Sequence, residues 1–220
     1  MKTGQILERT EAFVQEVLKN AEAGHDWFHI QRVLANAVQI ASQEKCELLV
    51  VQLAALLHDI ADPKFHDGDE GLGPKMTKDF LNSLSLDQTL IESVVYIVDN
   101  ISFSKSLSKS VSNEEVPIEF KIVQDADRLD AIGAIGIGRA FHYGGYKNRL
   151  MYDPEQAPLH GMSKETYRKN KGPTLNHFYE KLFLLKDKMN TETAKKMAAE
   201  RHEYMLNFVE RFKKEWEGRV

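Results

Sequence analysis

A single cysteine, Cys46, stands in the 220 residues, which excludes an internal disulfide and any thiolate zinc cluster and agrees with a reducing compartment. A small core position is its expected place. No stretch comes near the roughly 20 uninterrupted apolar residues that cross a bilayer, so no membrane span or membrane partner is expected. An excess of positive charge is missing too: the formal net charge is −4, whereas a protein that grips phosphate backbones nonspecifically is usually basic. Stable nucleic-acid binding is therefore not expected. The opening stretch "MKTGQILERTEAFVQEVLKN" carries charges throughout and has no apolar segment followed by a small-residue cleavage site, so no secretory signal is read and a cytoplasmic home follows. The six prolines and thirteen glycines are scattered, without a repeat or a low-complexity tract.

What is present is helical spacing. Alternating runs long enough for a sheet are absent, and the chain reads as all-α. A first amphipathic helix covers residues 5 to 21, with Ile6, Phe13, Val14, Val17 and Leu18 on one face. A second covers residues 27 to 43, where His29, Val33, Ala37 and Ile40 recur at three- and four-residue steps, so an imidazole sits on the buried stripe. The third, residues 47 to 59, is apolar nearly all round, as a central helix is. Residues 63 to 74, "PKFHDGDEGLGP", make a polar loop able to fold over a site. A short helix is expected after it, then helices over 87 to 100 and 117 to 141, separated by the Ser- and Lys-rich "SFSKSLSKSVSNEEV". Residues 143 to 173 read as irregular, and two helical patterns close the chain at 175 to 189 and 191 to 216, the last capped by "NTET".

Polar residues at the end of an apolar helix need a reason. In "LAALLHDIAD" the third helix ends in His58 and Asp59, which lie about 100° apart around a helix and can reach one ion only where the helix stops. Pro63 favours such a stop. Two ligands hold a catalytic metal weakly, and two further inward polar residues qualify: His29, and Asp127 in "IEFKIVQDADRLDAIGAIGIG", with Val123, Ala131 and Ala134 on its face. A carboxylate buried there alone is costly, and a divalent cation offsets the cost.

The order of His29 in "HIQRV", His58 and Asp59 in "LLHDIAD", and Asp127 in "DADRL" resembles the H…HD…D signature of the HD-domain phosphohydrolase superfamily. The strings "GHDWFHIQRV", "HDIADPKFHDGDE", "QDADRLDAIGAIGIGRAF" and "NHFYEKLFLLKDKMNT" resemble, more closely, the bacterial HD hydrolases related to nucleotide pyrophosphohydrolases. The resemblance implies one all-α helical bundle over residues 1 to 220, with core motifs in 25 to 130 and a C-terminal helical extension at 174 to 217. It implies a bound divalent cation held by His29, His58, Asp59 and Asp127. It also ranks the competitors: His25 and Asp26 spell a second HD, but the His before "xxRV" is the family's ligand, which leaves His25 to support a ligand or to face the substrate, and "ADRL" favours Asp127 over Asp125. Two imidazoles and two carboxylates without thiolate lean toward harder ions than structural zinc sites choose. Manganese comes first, with magnesium, iron, zinc, nickel or cobalt as alternatives.

Asp62, three residues beyond Asp59, lies near enough to accept a proton from an attacking water, and Asp67 in the next loop is placed to assist or to protonate a leaving group. The resemblance adds weight to Asp62, although its relatives often carry a longer acid there. Lys64, Arg128, and the i, i+4 pair His177 and Lys181 supply cations for a polyphosphate. The glycines of "GAIGIGRAF" lack the preceding strand and the spacing of a nucleotide loop, and read instead as close helix contacts at Gly133, Gly136 and Gly138. The expected activity is hydrolysis of nucleoside or deoxynucleoside triphosphates to monophosphate and pyrophosphate, with a small-molecule nucleotide as partner and a homodimer allowed. A nucleotidase or phosphodiesterase of the same fold, or a nucleotide-binding module without turnover, remains open at this point.

Overall fold

A computed structural model describes residues 1–19, 21, 26–61, 69–101, 116–161 and 170–219. Every regular element among them is helical. They fall into two compact units, Met1–Ala126 and Asp127–Val220.

The first unit is built around α3, Leu48–Leu57, whose Val50, Val51 and Leu53 to Leu57 are all buried. A helix apolar on every side is satisfied only by neighbours on every side, and α1 (Thr3–Val17), α2 (Trp27–Ala41) and α5 (Gln88–Asn100) pack on it. α4, Leu72–Ser83, lies on α5, and Phe80 of α4 stacks on Phe13 of α1 at 4.1 Å between ring centres. Two acidic caps fix where helices begin. Asp26 accepts a hydrogen bond from the backbone N–H of His29 at 2.9 Å, and Asp87 accepts from Thr89 and Leu90 at the start of α5; each satisfies an orphan amide of a first turn. Cys46 lies half-buried in the connection between α2 and α3, not in the core. Burial, followed by the charges of Glu119, Glu44 and Glu47, raises its thiol above the usual range, which disfavours the reactive thiolate.

The helix expected over residues 117 to 141 is two helices. α6 is Ile118–Asp130, its last turn opening the second unit, and α7 is Gly133–Tyr146. Ala131 and Ala134 therefore do not extend the face of α6. Gly133 adopts φ +76°, the left-handed region that glycine alone enters cheaply, and the chain turns there. The corner is tied on several sides: the Arg139 guanidinium donates to the Asp130 carboxylate at 2.5 Å, and that of Arg201 to the Leu129 carbonyl at 2.6 Å. Cations at the end of α6 also complement its dipole.

Of the three glycines expected at helix contacts, Gly133 meets the last helix, Glu192–Trp216, through Arg201. Gly136 instead lies over the Ala131 carbonyl, and Gly138 faces open space. A Cβ on Gly133 would stand 3.0 Å from Cβ and Cγ of Arg201. Gly133→Ala is thus expected to cost about 1–2 kcal/mol, visible as a Tm lower by several degrees in a thermal melt. An unchanged Tm would mean that the corner does not need this backbone geometry.

α9, Glu192–Trp216, packs on α7 and on a 3-10 segment, Leu182–Lys188, which follows the short α8, Asn176–Glu180. The single helix expected over residues 175 to 189 is interrupted at Lys181, where φ is −143°. Phe141, Phe178, Phe208 and Phe212 form the aromatic centre of this unit, with neighbouring rings about 6 Å apart. Thr191 caps α9 by accepting from the Ala194 amide. Among the described residues no helix is long and apolar enough to cross a membrane.

Candidate metal centre

α3 stops at Leu57, and His58 forms its C-cap. The doublet thus sits where a helix surface ends and adjacent side chains can turn to one point. His29 projects from the buried stripe of α2 and is 1% exposed. The three side chains meet: His29 Nε2 lies 3.9 Å from Asp59 Oδ2, and the two imidazoles stand edge to face at 5.3 Å between centres. One donor atom from each of His29, His58 and Asp59 falls within 4.8 Å of the others. His58 is oriented from behind. Its Nδ1 lies 2.9 Å from the Ala55 carbonyl, which can only accept, so Nδ1 carries the proton and Nε2 presents its lone pair. A backbone partner of this kind is what fixes the tautomer of a ligating histidine.

The HD-domain family model matches residues 27–132, a span that holds His29, His58, Asp59 and Asp127 in order. The Bacillus subtilis protein YpgQ is 38% identical over 99% of this chain and 97% of its own. The chain belongs to the HD-domain superfamily. Solved structures agree: an HD-superfamily hydrolase from Bacillus thuringiensis is 42% identical, with a TM-score of 0.77 over 98% of this chain and 99% of the other. YpgQ has also been crystallised in complex with ADP, and that structure has a TM-score of 0.74 at 32% identity, covering 97% of this chain and 100% of YpgQ's.

HD domains bind divalent metals, and the donor set of this HD domain fits one. Two donors that share an ion at about 2.1 Å each stand at most about 4.2 Å apart, so the 3.9 Å between His29 and Asp59 is within reach. The wider limit of 4.8 Å closes with a movement of roughly half an ångström.

The remaining expected residues are placed unequally. Asp127 lies half-buried in the last turn of α6 and opens the second unit. Asp125, its competitor, is fully buried and does not face solvent. The second HD is not a copy of the first, because Asp26 is the cap of α2; His25 lies outside the described residues, as do Asp62, Lys64 and Asp67. Arg128 donates to the Lys188 carbonyl, so part of its guanidinium holds the end of the 3-10 segment. His177 lies in α8, whereas Lys181, at φ −143°, is the residue that ends it, its N–H donating to the His177 carbonyl at 3.0 Å. Burial first, then the charges of Lys181 and Arg149, lower the His177 pKa from 6.5 to about 3. Arg149 was not among the expected site residues. It is remote in sequence from His177, and no spacing rule connects them.

Proposed function

We propose that this HD-domain hydrolase cleaves nucleoside or deoxynucleoside triphosphates to monophosphate and pyrophosphate, using a divalent ion, manganese first. The family supports a metal-dependent phosphohydrolase in general, and the ADP complex of YpgQ supports a nucleotide as the ligand. The observation that carries the reading is the convergence of His29, His58 and Asp59 on one point, with the His58 tautomer set by Ala55. Asp127 is the proposed fourth ligand, on the strength of its "ADRL" setting in the sequence.

When bound, the ion neutralises phosphate oxygens and eases deprotonation of the attacking water. The chain supplies the rest. The Asp62 carboxylate takes the proton of the attacking water, and Asp67 serves the leaving oxygen. Lys64, Arg128, His177 and Lys181 are the proposed contacts of the phosphate tail, as is His25 for another part of the substrate. In phosphoryl transfer such charge placement accounts for most of the catalysis.

The test is a triphosphate panel with manganese and product analysis. Pyrophosphate is expected as the product; inorganic phosphate alone would reassign the enzyme as a nucleotidase, and no turnover of any triphosphate would favour a binding module. Asp62→Asn is expected to lower the rate roughly 100-fold while the metal content, read by elemental analysis, stays at that of the wild type. An unchanged rate would remove Asp62 from the mechanism.

A further inference from the structure

The string "DADRLD" carries three acids, Asp125, Asp127 and Asp130, and the last of them has a task of its own. Asp130 is 1% exposed, and its carboxylate accepts from Arg139 Nη1 at 2.5 Å. The same nitrogen lies 3.4 Å from the Asp130 carbonyl. Arg201, reaching over from α9, donates to the Leu129 carbonyl at 2.6 Å, and the negative charge of Asp130 acts on its guanidinium as well. Arg128 leaves the same turn for the Lys188 carbonyl. Three guanidiniums thus tie down three consecutive residues, Arg128, Leu129 and Asp130.

The last turn of a helix has carbonyls without intrahelical partners and is where a helix opens most easily. Upstream, α6 is held by burial, with Ile122, Val123 and Ala126 all 0% exposed. Asp127 stands where that hold ends. It opens the last turn of α6, and Ala131 and Ile132 alone separate this turn from Gly133, where φ is +76°. The corner is shaped to admit the second arginine, since Gly133 lacks the Cβ that would stand 3.0 Å from the Arg201 stem. A carboxylate on a turn that must first be ordered binds an ion more weakly than one already in place.

We propose that Asp130, Arg139 and Arg201 are positioning residues of the metal centre: they lock the last turn of α6, so that the Asp127 carboxylate is presented to the ion already ordered. The proposal deepens the reading of Asp127 as fourth ligand and rests on it.

Charge and order predict opposite results. Taking away a positive charge within one turn of a cation's ligand should, by Coulomb's law alone, tighten binding; weakening reports lost order. The full chain, stripped of metal with chelator and dialysed, is titrated with manganese by calorimetry, well below the Tm of every variant. Arg139→Gln and Arg201→Gln are each expected to raise Kd about 10-fold or more, as loss of a partner behind a ligand does. Arg201→Lys should recover part of the loss, since an ammonium can still donate to the Leu129 carbonyl. Asp127→Asn should weaken binding too, and Arg201→Gln added to it should change Kd by less than about 2-fold, because the turn then has no ligand to position. Should Arg139→Gln misfold by circular dichroism, since it takes a cation from buried Asp130, Arg201→Gln and Arg201→Lys carry the test. Unchanged or tighter binding in the folded arginine variants, or losses that multiply with that of Asp127→Asn, would overturn the proposal. Wild-type affinity in Asp127→Asn, or no manganese bound by the wild type, would instead defeat the ligand reading and the role of the arginines with it. The expected pattern in a chain that hydrolyses no phosphate compound would sink the hydrolase reading and leave the positioning standing.

Discussion

His58→Ala is expected to yield a folded protein that no longer retains its divalent ion and hydrolyses its substrate at the uncatalysed background. The ring supplies one of three donors that already meet, and loss of even an outer partner of a ligand costs about 10- to 100-fold in affinity or activity. Removal of the ligand itself is expected to exceed that. Folding should survive, because His58 lies at the end of α3 while the core residues Val51 and Leu53 to Leu57 precede it. The measurements are metal content after dialysis, far-UV circular dichroism and initial rate. A variant that kept stoichiometric metal and full rate would detach the HD doublet from the chemistry. Asp59→Ala should behave alike, whereas Asp26→Ala should lose about 1 kcal/mol of stability and load the ion more slowly yet still retain it, because that carboxylate caps the helix that carries His29.

The second large effect concerns acid. Free in an unfolded chain, His177 takes up a proton near pH 6.5, but in the folded protein it does so only near pH 3. Between those values the unfolded state holds more protons, so this group's contribution is complete above pH 6.5 and drains away as the pH falls toward 3. The whole difference is on the order of 3–5 kcal/mol. His177→Asn cannot titrate. Its stability relative to the wild type should therefore improve steadily from pH 7 to pH 4 in urea unfolding curves. Parallel curves for the two proteins across that range would show that the imidazole does not sense the fold.

Both effects start from residues visible in the primary structure, and the reasons differ. His29, His58 and Asp59 were legible because each interrupts an apolar pattern where a polar group would be costly to bury without a partner. The cap of α9 was legible in "NTET", since Thr before a helical run has one obvious use, whereas the acidic caps Asp26 and Asp87 went unread. The corner between α6 and α7 was not, since "RLDAIGAIGIG" keeps its apolar spacing straight through the turn, and only the positive φ of Gly133 separates a break from a tolerated glycine. The 3-10 segment was hidden likewise, as "LFLLKDK" carries apolar residues compatible with either helix type. The pairing of Leu150 and Met151 with Thr174 and Leu175 escaped notice too, because helical periodicity is blind to bonds between distant segments.

One bond at the start of α2 has an outcome for how the ion arrives. Because the amide of His29 is tethered by the Asp26 carboxylate, the backbone under this imidazole is anchored before any cation approaches. Capture then needs little more than side-chain adjustment, so loading should follow a single fast phase rather than wait on the winding of a frayed helix.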